Sequence, residues 1–133
     1  MIKRINHIAI VVEDLSSALG FWRDALGLPL SGTESNPAES VDIAFLPVGD
    51  SEVELLSPTD PESGIGKYLA KKGPGMHHVC VEVDDIEAAI RRLVEHGAEM
   101  INETPRLRPD GTRYAFVHPR SAFGVLVELY EVP

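Results

Sequence analysis

Two stretches of the chain, 71 residues apart, repeat one another position for position. Asn6-His7-Ile8-Ala9-Ile10-Val11-Val12-Glu13-Asp14-Leu15 aligns with His77-His78-Val79-Cys80-Val81-Glu82-Val83-Asp84-Asp85-Ile86, histidine on histidine and acid on acid. Each copy delivers its histidine at the start of a run rich in β-branched residues, the signature of a strand. Each run then ends in acids that can cap a helix. A later pair matches as well, Val53-Glu54-Leu55-Leu56 with Val127-Glu128-Leu129-Tyr130. The simplest plan is one strand-helix-three-strand unit used twice.

The intervening sequence fits that plan. Asp14 is placed to cap a helix whose apolar positions Leu15, Ala18, Leu19, Trp22 and Leu26 recur at helical spacing until Gly27. Residues 30–39 are polar and rich in Ser, Asn and Pro, as expected of a surface loop or pocket rim. Residues 41–48 and 53–56 read as strands around a Gly49-Asp50 turn. Residues 58–74 carry clustered Pro and Gly and read as a linker, with a short helix over Ile65, Tyr68 and Leu69 stopped by Gly73. In the second half, Ile86, Ala89, Ile90 and Leu93 form a helical stripe ending at Gly97. After it come an apolar pair at Met100-Ile101, a Pro- and Arg-rich loop over 103–112, a strand over 113–118, a turn over 119–124 and a last strand over 125–130. The expectation is a single domain over 1–133, with module one at about 3–57 and module two at about 75–131.

Four chemistry-bearing residues recur with the repeat: His7 with His78, and Glu54 with Glu128. Each Glu stands between apolar neighbours, so strand alternation turns it to the face opposite theirs. Two-fold packing of the modules would bring two imidazoles and two carboxylates together, a donor set suited to a divalent first-row metal. Burying so many ionisable groups without a cation is costly. A single His or Glu of this kind is more often solvated or hydrogen-bonded; recurrence of both types is what singles these four out. His77 is expected on the opposite strand face, His96 near a helix C-terminus, and Cys80 in the core. His118, ending a strand before Pro119, either orients a substrate or hydrogen-bonds its turn.

A net charge of −9 makes a nucleic-acid partner unfavourable. The one cysteine allows no internal disulfide, and no apolar run reaches the roughly 18 residues of a membrane span, so a cytoplasmic location is expected.

The stretches INHIAIVVEDL, VELLSPTDPESGIGKYLAKKGPGMHHVCVEVDDIEAAI, GTRYAFVHP and GVLVELYEV cover more than half of the chain. Through them the chain resembles the vicinal-oxygen-chelate, or glyoxalase-like, superfamily, and within it the methylmalonyl-CoA epimerase family. The resemblance implies an α+β fold of two βαβββ modules related by a pseudo-two-fold axis, forming a cupped mixed sheet around a metal site, usually in a homodimer. It implies epimerisation at C2 of methylmalonyl-CoA by proton abstraction and return through a metal-stabilised enolate. The implied metal ligands are His7, Glu54, His78 and Glu128, for Co, Mn, Ni, Zn or Mg, and Glu128 is also the implied base. Some members carry Gln at the position of Glu54.

For the second acid or base, some members carry a Glu where this chain has Ile43. Asp42 is the nearest acid; one step along a strand reverses its face, which a strand bulge would restore, and Glu54 or a metal-bound water is the alternative, so the second base stays open between Asp42 and Glu54. Lys67, Lys71, Lys72, Arg106, Arg108, Arg113 and Arg120 are the basic candidates for coenzyme A phosphates, and His118 for substrate binding.

The nearest alternative is a lactoylglutathione lyase of the glyoxalase type, which also moves a proton beside a carbonyl. A ring-cleaving dioxygenase fits less well, because a fourth candidate ligand fills the positions its His-His-carboxylate set leaves open. A drug-sequestering binding protein on the same fold is disfavoured by the low aromatic content of 6% and by the filled ligand positions.

Overall fold

The computed structural model describes residues 1–133. The chain runs β1 (Ile2–Val11), α1 (Leu15–Leu19) with a π-helical continuation (Gly20–Ala25), β2 (Gly32–Asn36), β3 (Val41–Val48), β4 (Ser51–Pro58) and α2 (Gly64–Lys72). It continues through β5 (Gly75–Val83), α3 (Ile86–Glu95), β6 (Arg106–Leu107), β7 (Arg113–Val117), a 3-10 turn (Pro119–Ala122) and β8 (Val127–Glu131). The strands form two hydrogen-bonded runs, β2-β3-β4-β1 and β5-β8-β7-β6, each mixing parallel and antiparallel pairs. The mixed α+β class and the double use of one unit are as expected. No helix is long and apolar enough to cross a membrane.

Two compact units divide the chain, Ile8–His77 and Met1–His7 with His78–Pro133. The cuts fall inside β1 and β5, not in the Pro- and Gly-rich connection over 58–74. Side-chain bonds explain why the first seven residues go with the second half of the chain. The N-terminal ammonium meets Asp84 at 2.8 Å, and Arg4 and Asn6 both donate to the buried Glu82 at 3.1 Å.

In the unit Ile8–His77, β1 pairs parallel with β4, setting Ala9 opposite Glu54, and β4 pairs antiparallel with β3, setting Glu54 opposite Phe45. Asp14 caps α1 as predicted, accepting from the Ser17 N–H at 3.0 Å. Leu15, Ala18, Leu19 and Trp22 pack on Ala44, Leu46 and Leu55, but Leu26 is 54% exposed, and Leu28 and Leu30 join this core instead. The cause is the π-helical register, seen in the Leu26 N–H donating to the Phe21 carbonyl. An extra residue per turn shifts the phase of every later side chain. The polar segment expected as a loop contains β2, paired antiparallel with β3. As an edge strand it is exposed and carries no apolar alternation for a sequence reading to detect.

In the other unit, β5 pairs parallel with β8, setting Cys80 opposite Glu128, the counterpart of Ala9 opposite Glu54. Strand β7 lies antiparallel to β8, with Tyr114 opposite Tyr130 and Phe116 opposite Glu128. Asp85 caps α3 by accepting from the Ala88 N–H, and Glu131 accepts from the Ile86 N–H, so two orphan donors of the helix start are satisfied. The apolar stripe of α3 covers Val83, Ala115, Val117 and Leu129. Met100 makes a lone bridge to Val117, and β6 is a two-residue strand within the expected loop.

Helix α2 imposes a tight constraint. Ser63 caps it through the Gly66 N–H at 3.0 Å, and Gly66 lies buried against the backbone of Asp60 and Pro61. A methyl group there would overlap main chain, which cannot move aside as a flexible side chain can. Gly66→Ala is therefore expected to destabilise the fold by about 1–3 kcal/mol, read as a lower urea midpoint with unchanged slope.

Candidate active site

Parallel pairing of β5 with β8 puts Glu128 beside Cys80, and strand alternation places His78 on the same face as Cys80. His7 arrives from β1. The three functional groups converge: Nε2 of His7 lies 3.3 Å and Nε2 of His78 3.1 Å from Oε1 of Glu128, and the two nitrogens are 3.2 Å apart. All three residues are buried. Phe116 meets His78 edge-on at 5.7 Å between ring centroids, and Tyr130 meets His7 at 5.3 Å. These edge-on contacts pack against the two imidazole planes.

Burial alone would raise the pKa of Glu128. Hydrogen bonds from His7 and His78, with the charge those rings can carry, outweigh it and hold the group at about 2, below its usual 4.5. The site is thus a fixed buried anion with two imidazoles aimed at one of its oxygens.

The other nitrogen of His7 has its proton assigned by its neighbours. Nδ1 lies 2.8 Å from Oδ1 of Asn6, whose Nδ2 donates to Oε1 of Glu82 at 3.1 Å. Glu82 is buried, so its desolvation favours the neutral acid. The hydrogen bonds from Asn6 and Arg4, and the charges of Arg4 and Lys3, nevertheless depress its pKa and keep it ionised. A carboxylate can only accept, which forces the Asn6 amide nitrogen toward Glu82 and its oxygen toward His7. Nδ1 of His7 must then carry the hydrogen. Nε2 is left either to bear a second proton toward Glu128 or to turn its lone pair on a cation.

The donor spacing bears on which cation. Neighbouring ligands bound at about 2.1 Å around one ion stand about 3.0 Å apart in an octahedron and about 3.4 Å in a tetrahedron. The three observed separations of 3.1–3.3 Å fall between these values. His7, His78 and Glu128 therefore fit a divalent cation. The Cys80 Sγ lies within a looser 4.8 Å group with His7 and Glu128 and, at that distance, lines the site rather than completing the triangle.

Glu54 is half-buried on β4 of the other unit, between Ala9 and Phe45. Asp42 is on β3 of that unit opposite Ser35 and Ser57, accepts from the Ser35 hydroxyl at 2.8 Å, and faces away from Glu54. His118 begins the 3-10 turn, with Nδ1 accepting from the Arg120 N–H at 3.0 Å. Among the basic candidates, Arg113 bonds Glu87 and Glu131, and Arg120 lies near Glu99. Arg108 instead reaches into the site, its Nη2 donating to Oε2 of Glu128 at 3.3 Å. Sequence reasoning missed the parts played by Arg108, Asn6 and Glu82. The one signal for Glu82 was an acid inside an apolar strand at even spacing from His78.

The chain is similar to known proteins along nearly all of its length. The family model described as Glyoxalase/Bleomycin resistance protein/Dioxygenase superfamily matches residues 6–116. The mitochondrial methylmalonyl-CoA epimerase of Mus musculus is 39% identical, over 95% of this chain and 71% of its own length. The ethylmalonyl-CoA/methylmalonyl-CoA epimerase of Cereibacter sphaeroides is 38% identical, over 99% of this chain and 100% of its own. A solved methylmalonyl-CoA epimerase in complex with methylmalonyl-CoA and an ammonium ion superimposes with a TM-score of 0.86 at 34% identity, covering 99% of this chain and 96% of that one. The chain belongs to the methylmalonyl-CoA epimerase family of that superfamily. By family it is an isomerase.

Two outcomes follow from the geometry of this epimerase-family site in metal-free protein. With its pKa held at about 2 instead of 4.5, ionised Glu128 contributes stability that is full above about pH 4.5 and is lost as pH falls toward 2. Glu128→Gln should lower the melting temperature near neutral pH, and the gap from wild type should narrow on acidification; a gap independent of pH would contradict this. In nitrogen NMR of the imidazoles, Nδ1 of wild-type His7 should carry a hydrogen whatever the state of Nε2, and Glu82→Gln, which lets the Asn6 amide turn, should give a mixture in which part of the population lacks it.

Proposed function

We propose that this chain interconverts the C2 epimers of methylmalonyl-CoA, with a divalent cation held by His7, His78 and Glu128. The observation that carries the reading is the buried triangle of two imidazoles and one carboxylate, in a chain whose relatives are named for that reaction. The cation, when bound, supplies electrostatic stabilisation for the negative charge that develops on a thioester oxygen.

The chain's own residues do the rest. His7, with its proton kept on Nδ1 by Asn6, offers the Nε2 lone pair, and His78 presents its Nε2 beside it. Oε1 of Glu128 faces the imidazoles, while Oε2 accepts from Arg108 on the other side and is the oxygen that takes a proton once that bond is released. In the reaction the C2–H bond breaks, the electron pair delocalises into the thioester carbonyl and the proton moves to Glu128. Its return to the opposite face needs a second donor. Asp42 is held by Ser35 on the strand face away from Glu54, so Glu54, which repeats Glu128 in the sequence, is the donor and additional ligand to test first.

The test is deuterium uptake at C2 of methylmalonyl-CoA in heavy water, with protein stripped by chelator and reloaded with cobalt. Exchange should require the metal and fall by about 10²–10⁴-fold in Glu128→Gln. Glu54→Gln should slow the conversion of one epimer into the other more than it slows exchange. No exchange in any metal form, together with turnover of a glutathione hemithioacetal, would reassign the substrate.

A further inference from the structure

Arg108 sits where a surface cation for coenzyme A phosphates would not. It is on the turn joining β6 to β7, closed by its own N–H donating to the Thr112 carbonyl at 2.8 Å and by the Gly111 N–H donating to the Arg108 carbonyl at 3.0 Å. Asp110 accepts from the Thr112 N–H at 2.9 Å, and Gly111 takes a φ of +92°, a conformation that favours glycine. The side chain therefore leaves a fixed backbone. Its guanidinium carbon lies 4.2 Å from the centre of the Tyr114 ring and 5.4 Å from that of Tyr130, two residues directly opposed on β7 and β8. Stacking on these rings holds the guanidinium plane against the site.

The hydrogen bonding of that plane is half complete. Nη2 donates to Oε2 of Glu128, the oxygen not facing the imidazoles, whereas the Nε–H is buried and has no acceptor. Nε–H and one amino group share an edge of the guanidinium fork, and that edge matches the two oxygens of a carboxylate. A buried N–H without an acceptor is costly, so an edge filled on one arm alone points to a second oxygen supplied by whatever binds there.

Resting on the epimerase reading, we infer that Arg108 binds the free carboxylate of the acyl group through Nε and Nη2 and, in doing so, gives up its bond to Glu128. The exchange leaves Oε2 of Glu128 unpaired at the moment C2 is presented, so the anionic group of the substrate releases the base that acts on it. A thioester with no such carboxylate neither gains the fork nor frees the base. Arg108 is on this account a specificity-determining residue as well as a substrate contact.

The experiment compares wild type, Arg108→Met and Arg108→Lys, each checked for folding by circular dichroism. Binding of methylmalonyl-CoA and of propionyl-CoA, which lacks the carboxylate, is measured calorimetrically on metal-free and cobalt-loaded protein, beside the exchange assay. Arg108→Met should weaken methylmalonyl-CoA binding by about 10- to 100-fold and leave propionyl-CoA within about twofold. Arg108→Lys keeps the charge without the fork and should fall between, and it carries the test if the methionine variant does not fold. Active wild type with equal losses for both thioesters, or with no loss, would overturn the inference. Wild type that exchanges no proton of methylmalonyl-CoA in any metal form would remove the epimerase reading and this inference with it.

Discussion

The buried carboxylate of Glu128 is the constraint around which the rest of the site is arranged. A charge so far from water survives only if donors or cations surround it, and two imidazoles and a guanidinium do so, at 3.1, 3.3 and 3.3 Å. They divide its two oxygens, the histidines taking Oε1 and Arg108 taking Oε2. The two lone-pair directions of one carboxylate thereby meet different partners.

A second buried carboxylate, Glu82, acts from further away. It ties the N-terminal residues Lys3, Arg4 and Asn6 to β5 and, through the Asn6 amide, determines which nitrogen of His7 holds the hydrogen. Packing and chemistry are coupled here. The ion pairs with Lys3 and Arg4 are partly exposed and contribute little to stability by themselves, yet they help keep Glu82 ionised, and its ionisation orients the Asn6 amide.

Much of the architecture was legible because its causes are local. Asp14 and Asp85 both cap helices, as a short acidic side chain following an apolar strand would suggest, and His7, His78 and Glu128 meet as their repeated positions imply. Features with weak local signals were not legible. Strand β2 reads as a loop because an exposed edge strand has no buried face to mark in its residues. Leu26 reads as core because a helical stripe assumes one periodicity, and the π-helical turn after Leu19 changes it.

Taken alone, the sequence determined the repeated unit, the strand faces and the identities of the two histidines and two glutamates, since periodicity and residue chemistry are properties of neighbours along the chain. It could not place Arg108 against Glu128, or Asn6 between His7 and Glu82. Those contacts join residues 20 and 76 positions apart and depend on strand register and on a turn backbone. Arg108 in sequence is one of several scattered cations. The stacked Tyr114 and Tyr130 rings and the closed turn at Gly111 bring it to Glu128, and the ring pair exists only once β7 and β8 have paired.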